Sequence, residues 1–586
     1  MKHSKIPLSQ TVVALCKAHN IKHIVISPGS RNAPLTIGFT HDEFFNSYSI
    51  VDERCAAFFA LGMAQQLKTP VAVVCTSGSA LLNYYPAIAE AYYSNIPLVV
   101  LSADRPKHLI GIGDGQTIMQ KNVYGEHVLY SANLKLDLKD EQRLPAEDDI
   151  PIFKNIESRL ERLLGFQKDI QENNETETHN ALSIATLRSG PVHINIPFDE
   201  PLYEMVDELT IELEPYKIQT RVEKVDNFEI KSLLDIWHDA KRKMILVGAL
   251  EPNAVEQQWI EEIADDDSIL VFTETISNFH HQDFFPGIDK IIAPLGEEEF
   301  KELQPDILLT FGGLIVSKKI KAFLRQYKPE HHWHVGLHHA NDTFFCLEKH
   351  IKLSPNTFFS EFLPQVTHHT KSTYKSKWLE VRQKRRKLHE SYLKTIPYSD
   401  FSVYSTILKS LPKQSQLQVS NSSTIRYTQL FQLRKDISVF CNRGTSGIDG
   451  STSTAVGASV VSKERTTFIT GDLSFFYDSN ALWNNYIPKN FRVIVINNKG
   501  GGIFRILPGH KNTENFDQFF ETKHNLTAKL LCEMYGFNYV MADTEASLDK
   551  ALNSFYDNAK RPKLLEVFTP SQVNDEVLLD YFKFIK

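Results

Sequence analysis

Cysteine is scarce in this chain. Six of its 586 residues are Cys (Cys16, Cys55, Cys75, Cys346, Cys441, Cys532), scattered and with no CxxC pair. That argues against a disulfide framework and a structural zinc site, and it fits a reducing, cytoplasmic setting. Long apolar runs are also missing. The opening MKHSKIPLSQTVVALCKAHN holds only a short one, so neither a secretory signal nor a membrane span is expected there or later. Positive charge is not in excess: the net charge of −7 gives no global attraction to nucleic acid or acidic membranes. The basic RQKRRK at 382–387 reads as a solvated helix face. The histidine pairs (His280-His281, His331-His332, His338-His339) lack paired cysteines or HExxH spacing and read as solvated loops.

What is present is an ordinary globular composition over a length that needs about three or four domains of roughly 150 residues. Residues 8–20 read as a helix. Then come apolar runs cut off by polar, glycine-bearing clusters. Ile24-Val25-Ile26 ends in Ser27-Pro28-Gly29-Ser30-Arg31, and Tyr48 to Val51 ends in Asp52-Glu53-Arg54. Val71 to Cys75 ends in Thr76-Ser77-Gly78-Ser79, and Leu98 to Leu101 ends in Ala103-Asp104-Arg105-Pro106. Helical segments lie between them. Continuous apolar strands alternating with helices predict a doubly wound parallel sheet covered on both faces, with ligands at the carboxyl ends of its strands.

Residues 137–180 are acidic and polar, with a helix predicted over Ile156 to Leu164 and an exposed loop over 171–180. The sheet pattern returns at Pro191 to Ile196, and Pro197 to Pro215 reads as a linker. A second α/β block has strands at Met244 to Gly248, Ile269 to Phe272 and Asp306 to Phe311. A basic helix over 371–395 then leads to a third block, with strands at Leu417 to Val419, Val439-Phe440 and Leu564 to Val567. No sequence repeat relates the three blocks.

The third block contains the most telling stretch, Gly471 to Gly502. The run Thr467 to Thr470 is cut short by Gly471-Asp472, and Val493 to Ile496 by Asn497-Asn498. A helix-like segment is placed around Ala481 to Tyr486. One βαβ unit brings both strand ends to the same sheet edge, where Asp472 and Asn498 can meet. An acid, an amide and a glycine-rich turn supply hard oxygen ligands and open backbone amides, the needs of Mg²⁺ bridged to a diphosphate. The bland alternative is two buried strands ending in polar turns, and Gly-Asp alone is common at strand ends.

This arrangement resembles the metal–diphosphate motif of thiamine diphosphate (ThDP) enzymes, with Leu473 standing where many relatives have a second glycine. Taken with SPGSRNAPL at 27–35, GPVHINIPFDEPLY at 190–203, NRGTSGIDGSTSTA at 442–455 and NNKGGGIFRILP at 497–508, the chain resembles one family over nearly its whole length. That family is 2-succinyl-5-enolpyruvyl-6-hydroxy-3-cyclohexene-1-carboxylate (SEPHCHC) synthase of menaquinone biosynthesis, with residues 137–180 least alike.

The resemblance implies an α/β fold of three doubly wound domains: pyrimidine-binding (1–200), central (201–370) and diphosphate-binding (371–586). It implies a cytoplasmic homodimer or homotetramer with active sites at the subunit interface. The implied reaction decarboxylates 2-oxoglutarate and adds the resulting carbanion 1,4 to isochorismate, using ThDP and Mg²⁺ or Mn²⁺.

The implied metal ligands are Asp472, Asn498 and Gly500. The implied cofactor contacts are Glu53, Ser422, Ile448, Gly471, Asp472, Leu473, Ser474, Asn498, Gly500 and Ile503. Glu53 and Gln116 are the implied catalytic residues, although Glu53 alone reads as a carboxylate opening a helix. Ser30, Arg31, Arg105, Lys318 and Lys319 are implied to contact isochorismate, with Ile503 and Phe504 lining its pocket. Ser422, Arg426 and Arg443 are implied for the 2-oxoglutarate-derived group. Guanidinium groups suit bidentate carboxylate clamping, although a single arginine is more often a surface ion pair. The alternatives are another ThDP-dependent 2-oxo acid decarboxylase, an acetolactate synthase-like carboligase, and a nucleotide-binding or scaffolding protein without the chemistry.

Overall fold

The structure, a computed structural model, describes residues 2–138, 152–213, 223–506 and 513–586. The proline that closes the expected linker and the last two residues of the NNKGGGIFRILP stretch lie outside these. The described residues form two compact units. One comprises Met1–Arg221 with Ser453–Val461 and Asn480–Tyr486; the other comprises Val222–Thr452, Ser462–Ser479 and Ile487–Lys586. Among the described residues, no helix is long and apolar enough to cross a membrane.

The first unit is built on a six-stranded sheet. Its strands are β1 (His23–Ile26), β2 (Asn46–Ser49), β3 (Val71–Cys75), β4 (Leu98–Asp104), β5 (Tyr130–Asn133) and β6 (Val192–Pro197), in the order β2-β1-β3-β4-β6-β5. All pairings are parallel. Val71–Cys75 and Leu98–Asp104 are buried at every position, because helices cover both faces of the sheet.

Three expectations fail in this unit. Residues 171–180 are not a loop but part of one helix, Ile152–Arg188. Asn174 and Thr178 are fully buried there, and Asn174 hydrogen-bonds both backbone groups of Lys135. The expected linker after Pro197 carries Met205–Val206, which pairs antiparallel with His3–Ser4. No regular α-helix forms at 481–486; a 3₁₀ turn spans Ser479–Leu482 instead.

The second unit holds two sheets. The first contains β7 (Lys243–Val247), β8 (Ile269–Thr273), β9 (Phe285–Pro286), β10 (Ile307–Phe311), β11 (His331–Val335) and β12 (Lys349–Ile351), ordered β9-β8-β7-β10-β11-β12. His331-His332 therefore lies in a strand rather than a solvated loop. His332 is buried against Thr310, and burial lowers its imidazole to about 4. The second sheet contains β13 (Ser415–Val419), β14 (Ile437–Phe440), β15 (Arg465–Gly471), β16 (Arg492–Asn497), β17 (Asn538–Ala542) and β18 (Lys563–Phe568), ordered β14-β13-β15-β16-β18-β17. That is the order of the first unit's sheet, repeated without shared sequence. The basic helix forms as Tyr374–Leu393, but Arg385 of RQKRRK is buried and donates to the Lys586 carbonyl, so that face is not wholly solvated.

Candidate active site

In an open parallel sheet, ligands bind where the strand order reverses. In the third sheet that point falls between β13 and β15. Asp472 directly follows β15 and opens the short helix Asp472–Tyr477, and it is buried. Its Oδ1 accepts the Leu473 N–H at 2.7 Å and its Oδ2 the Gly500 N–H at 3.0 Å. Nε2 of His524 lies 3.2 Å from the same Oδ2. The acid and the turn after β16 are thus already in contact, with a carboxylate lone pair on Oδ1 to spare.

Asn498 stands one residue past β16. Its Nδ2 donates to Asp400 Oδ2 at 2.9 Å, which leaves the amide oxygen as its ligand face. Gly500 has φ +149°, and a Cβ there would meet the Glu521 carbonyl oxygen at 2.6 Å, so only glycine fits this turn. Beyond it, Arg505 grips Glu521 through two bonds of 2.6 Å. Ile503 and Phe504 lie half-buried in the 3₁₀ turn Gly502–Ile506. Ser474 donates to the Ile448 carbonyl at 2.7 Å, which ties the loop bearing Ile448, itself 38 % exposed, to the Gly471-Asp472 turn.

At the tips of β13 and β14 the site is cationic. Ser422 has φ +65° and ψ −130°, a strained conformation for a residue with a side chain and typical of functional sites. Asn421 Oδ1 accepts from Arg443 at 2.7 Å, while its amide nitrogen donates to the carbonyls of Asn442 and Gly447, both at 2.7 Å. Burial and the neighbouring Arg443 lower the Arg426 guanidinium, and Lys321 is lowered by burial with contributions from both arginines. Arg426, Arg443 and Lys321 therefore form one group of like charges. Lys318 and Lys319 open the helix Lys318–Gln326, exposed, with Lys319 Nζ 5.2 Å from the centre of the Phe582 ring.

The first unit gathers its residues in the same way. Arg31 is buried after β1, donates to the Phe198 carbonyl at 3.0 Å and pairs with Glu200 at 3.2 Å. Burial and nearby Arg105 lower its guanidinium. Arg105 itself lies 3.6 Å from Asp114. Ser30 is exposed at the tip of β1. Glu53 opens the helix Glu53–Leu67, and its Oε2 accepts Asn83 Nδ2 at 3.2 Å. Gln116 sits exposed at φ +56° on the loop after β4. Among the described residues, the Nε of Arg31, Arg105, Arg426 and Arg443 is buried without a hydrogen-bond partner, as it is for Arg385 and Arg465 elsewhere.

Residues 6–127 match the family model "Thiamine pyrophosphate enzyme, N-terminal TPP binding domain", and residues 204–419 match "Middle domain of thiamine pyrophosphate". The chain is 56 % identical to the 2-succinyl-5-enolpyruvyl-6-hydroxy-3-cyclohexene-1-carboxylate synthase of Christiangramia forsetii, covering 100 % of both chains. It is 52 % identical to the synthase of that name from Flavobacterium psychrophilum, again over 100 % of both. For the Phocaeicola vulgatus synthase the identity is 36 % over 98 % of each chain. The chain belongs to the SEPHCHC synthase family.

The α/β fold and the ThDP-dependent class of enzyme follow from that membership. The donor types suit a metal-bound diphosphate: a buried carboxylate on Asp472 and a buried amide on Asn498 whose nitrogen is engaged by Asp400. Four residues of this site escaped the sequence reading. Asp400, Lys321 and His524 meet the site residues through the fold, while Asn421 stands beside Ser422 in the polar cluster that ends β13 but was given no role.

Proposed function

We propose that this chain decarboxylates 2-oxoglutarate and joins the remaining four-carbon fragment, through its former 2-oxo carbon, to isochorismate by 1,4-addition. The products are SEPHCHC and CO₂, on the route to menaquinone. Thiamine diphosphate, when bound, supplies the nucleophilic carbon and the electron sink. Asp472, the Asn498 amide oxygen and the Gly500 carbonyl would hold Mg²⁺ or Mn²⁺, hard oxygens for a hard cation. Gly471, Leu473, Ser474, Ile448, Ile503 and Ser422 line the cofactor. Glu53, whose Oε2 accepts Asn83 Nδ2, would hold the aminopyrimidine ring and supply a carboxylate for proton exchange there.

Arg426 and Arg443 clamp the 2-oxoglutarate-derived carboxylate with Ser422 beside them. Ser30, Arg31, Arg105, Lys318 and Lys319 receive isochorismate, Ile503 and Phe504 its ring, and Gln116 acts near the reacting carbon. The enzyme works in the cytoplasm as a homodimer or homotetramer, with two protomers contributing to each site. Domain limits of 1–200, 201–370 and 371–586 serve this division of labour.

The observation that carries the reading is the joint presence, on adjacent strand tips of one sheet, of metal-type oxygen ligands and an arginine-rich group suited to a dicarboxylate. The test is incubation of the purified protein with ThDP, Mg²⁺ and 2-oxoglutarate, with and without isochorismate. An adduct forming only when both substrates are present is the expected result. Release of CO₂ from pyruvate with no adduct to isochorismate would defeat the reading in favour of a simple 2-oxo acid decarboxylase.

A further inference from the structure

Glu274 directly follows β8, is 3 % exposed, and belongs to neither motif. Its Oε1 accepts two backbone N–H groups, Val316 at 3.0 Å and Ser317 at 2.9 Å. Its Oε2 accepts from the side-chain amide of Gln429. Each partner leads to a cation. Ser317 caps the helix that begins with Lys318 and Lys319, accepting the Ile320 N–H at 3.1 Å, and gives its own hydroxyl to Asp289. Gln429 closes the helix Ser423–Thr428 and stands three residues beyond Arg426, on the same helical face. One carboxylate therefore ties the start of the Lys318–Lys319 helix to the end of the Arg426 helix.

The burial is costly. It pushes the Glu274 carboxyl up to about 7, even with Arg443 nearby. An apolar residue would pack at this seam without that penalty, but would leave two buried backbone N–H groups unpaired.

We propose that Glu274 is a positioning residue for the addition step, holding Lys318 and Lys319 at a fixed offset from Arg426 so that both substrates can be seated together. The proposal rests on the assignment of those cations to isochorismate and to the 2-oxoglutarate-derived group. It locates a determinant of two-substrate geometry in the central sheet, which contributes no ligand to the metal motif.

The test compares Glu274→Ala and Glu274→Gln in the holoenzyme. Glutamine keeps an acceptor for Val316 and Ser317, and Gln429 can turn its own oxygen toward the new amide. Three readouts separate positioning from general damage. They are KM and kcat for isochorismate, ThDP affinity, and 2-oxoglutarate decarboxylation followed with ferricyanide as electron acceptor, which needs no isochorismate.

Glu274→Ala is expected to raise the isochorismate KM at least tenfold, while the ferricyanide-coupled reaction and ThDP affinity stay within twofold. Glu274→Gln is expected to restore the KM. If the alanine variant does not fold, Gln429→Leu severs only the tie to the Arg426 helix, and a KM increase of at least fivefold is expected. An unchanged isochorismate KM in these variants overturns the proposal, as does an equal loss across all three readouts. A wild-type enzyme that ignores isochorismate overturns instead the functional reading beneath it, and the proposal with it.

Discussion

Asp400 offers the sharpest test of the proposed metal assignment, because it touches the proposed ligand Asn498. It opens the helix Asp400–Ser410 and is 2 % exposed. Its Oδ2 accepts Asn498 Nδ2 at 2.9 Å and its Oδ1 accepts the Thr569 hydroxyl at 2.6 Å. Holding the amide nitrogen decides where the Asn498 oxygen points. Asp400→Ala frees that amide to rotate and orphans two buried donors. Losing the partner that orients a metal ligand typically costs about 10- to 100-fold in metal affinity, or roughly 1.4–2.7 kcal/mol.

Asp400→Asn separates orientation from charge. Burial, with Asp472 nearby, carries the Asp400 carboxyl from 3.8 up to about 6. The folded state therefore holds this proton more tightly than the unfolded chain between those values. Stability from this group falls as pH rises through that window and levels off above pH 6, where the charged form costs roughly 3 kcal/mol. Asparagine removes that cost and forfeits about 1 kcal/mol of hydrogen bonding to Thr569.

In chelator-treated protein, Asp400→Asn should thus melt at a higher temperature than wild type at pH 8. The advantage should shrink as pH falls from 6 toward 4. Mg²⁺ titration by calorimetry with saturating ThDP should show the alanine variant weakened at least tenfold and the asparagine variant less so. An alanine variant that binds Mg²⁺ within twofold of wild type would refute the orientation argument.

Four further outcomes are expected. Glu53→Gln should still bind cofactor but lose most turnover, and near-normal steady-state rates would count against its proposed role. Asp472→Ala should weaken Mg²⁺ and ThDP retention together, as seen by calorimetry; unchanged affinity would exclude it as the metal ligand. Gly500→Ala places a Cβ 2.6 Å from the Glu521 carbonyl at a φ of +149°, a strain of about 1–3 kcal/mol. It should lose ThDP on gel filtration, where the wild type keeps it. Mixed protomers of Glu53→Gln and Asp472→Ala should regain about a quarter of wild-type activity if each site draws one half from each chain, whereas sites built within single chains predict none.

The parallel strands were legible because strands buried on both faces must be written as unbroken apolar runs, as in Val71–Cys75 and Val493 to Ile496. Some outer strands were not. Tyr130–Asn133 and Asn538–Ala542 at sheet edges, and His331–Val335 one strand in from an edge, carry polar or histidine side chains and look like loops in isolation. The stretch 171–180 was misread for the opposite reason. Its Glu, Asn and Thr residues resemble a solvated turn, yet Gln171 bonds Thr11, Asn174 bonds Lys135 and His179 meets His19 at 3.0 Å. Tertiary partners overrode local propensity there. The site follows the same division: Asp472, Asn498 and Gly500 sit in a compact local pattern, while Asp400 reaches Asn498 across 98 residues of chain.

The strand order explains why the motifs fall where they do. The first and third sheets share one order, so each has its reversal between its first and third strands. Ser27 to Arg31 and Thr76 to Ser79 flank the one; Asn421-Ser422 and Gly471-Asp472 flank the other. The two tips differ chemically. The first unit offers guanidinium groups and, at the end of β2, a carboxylate; the third sheet offers hard oxygens, glycines and a further arginine pair.

The central sheet has a different order, and its reversal between β7 and β10 is shut. A Cβ on Gly248 would lie 2.0 Å from the Gly313 carbonyl oxygen, and the Gly313 N–H donates to Ala249 at 2.6 Å. Main chain from the two strand tips is in direct contact there. What the central sheet can still contribute comes from its flanks, through Glu274 and the helix that starts at Lys318.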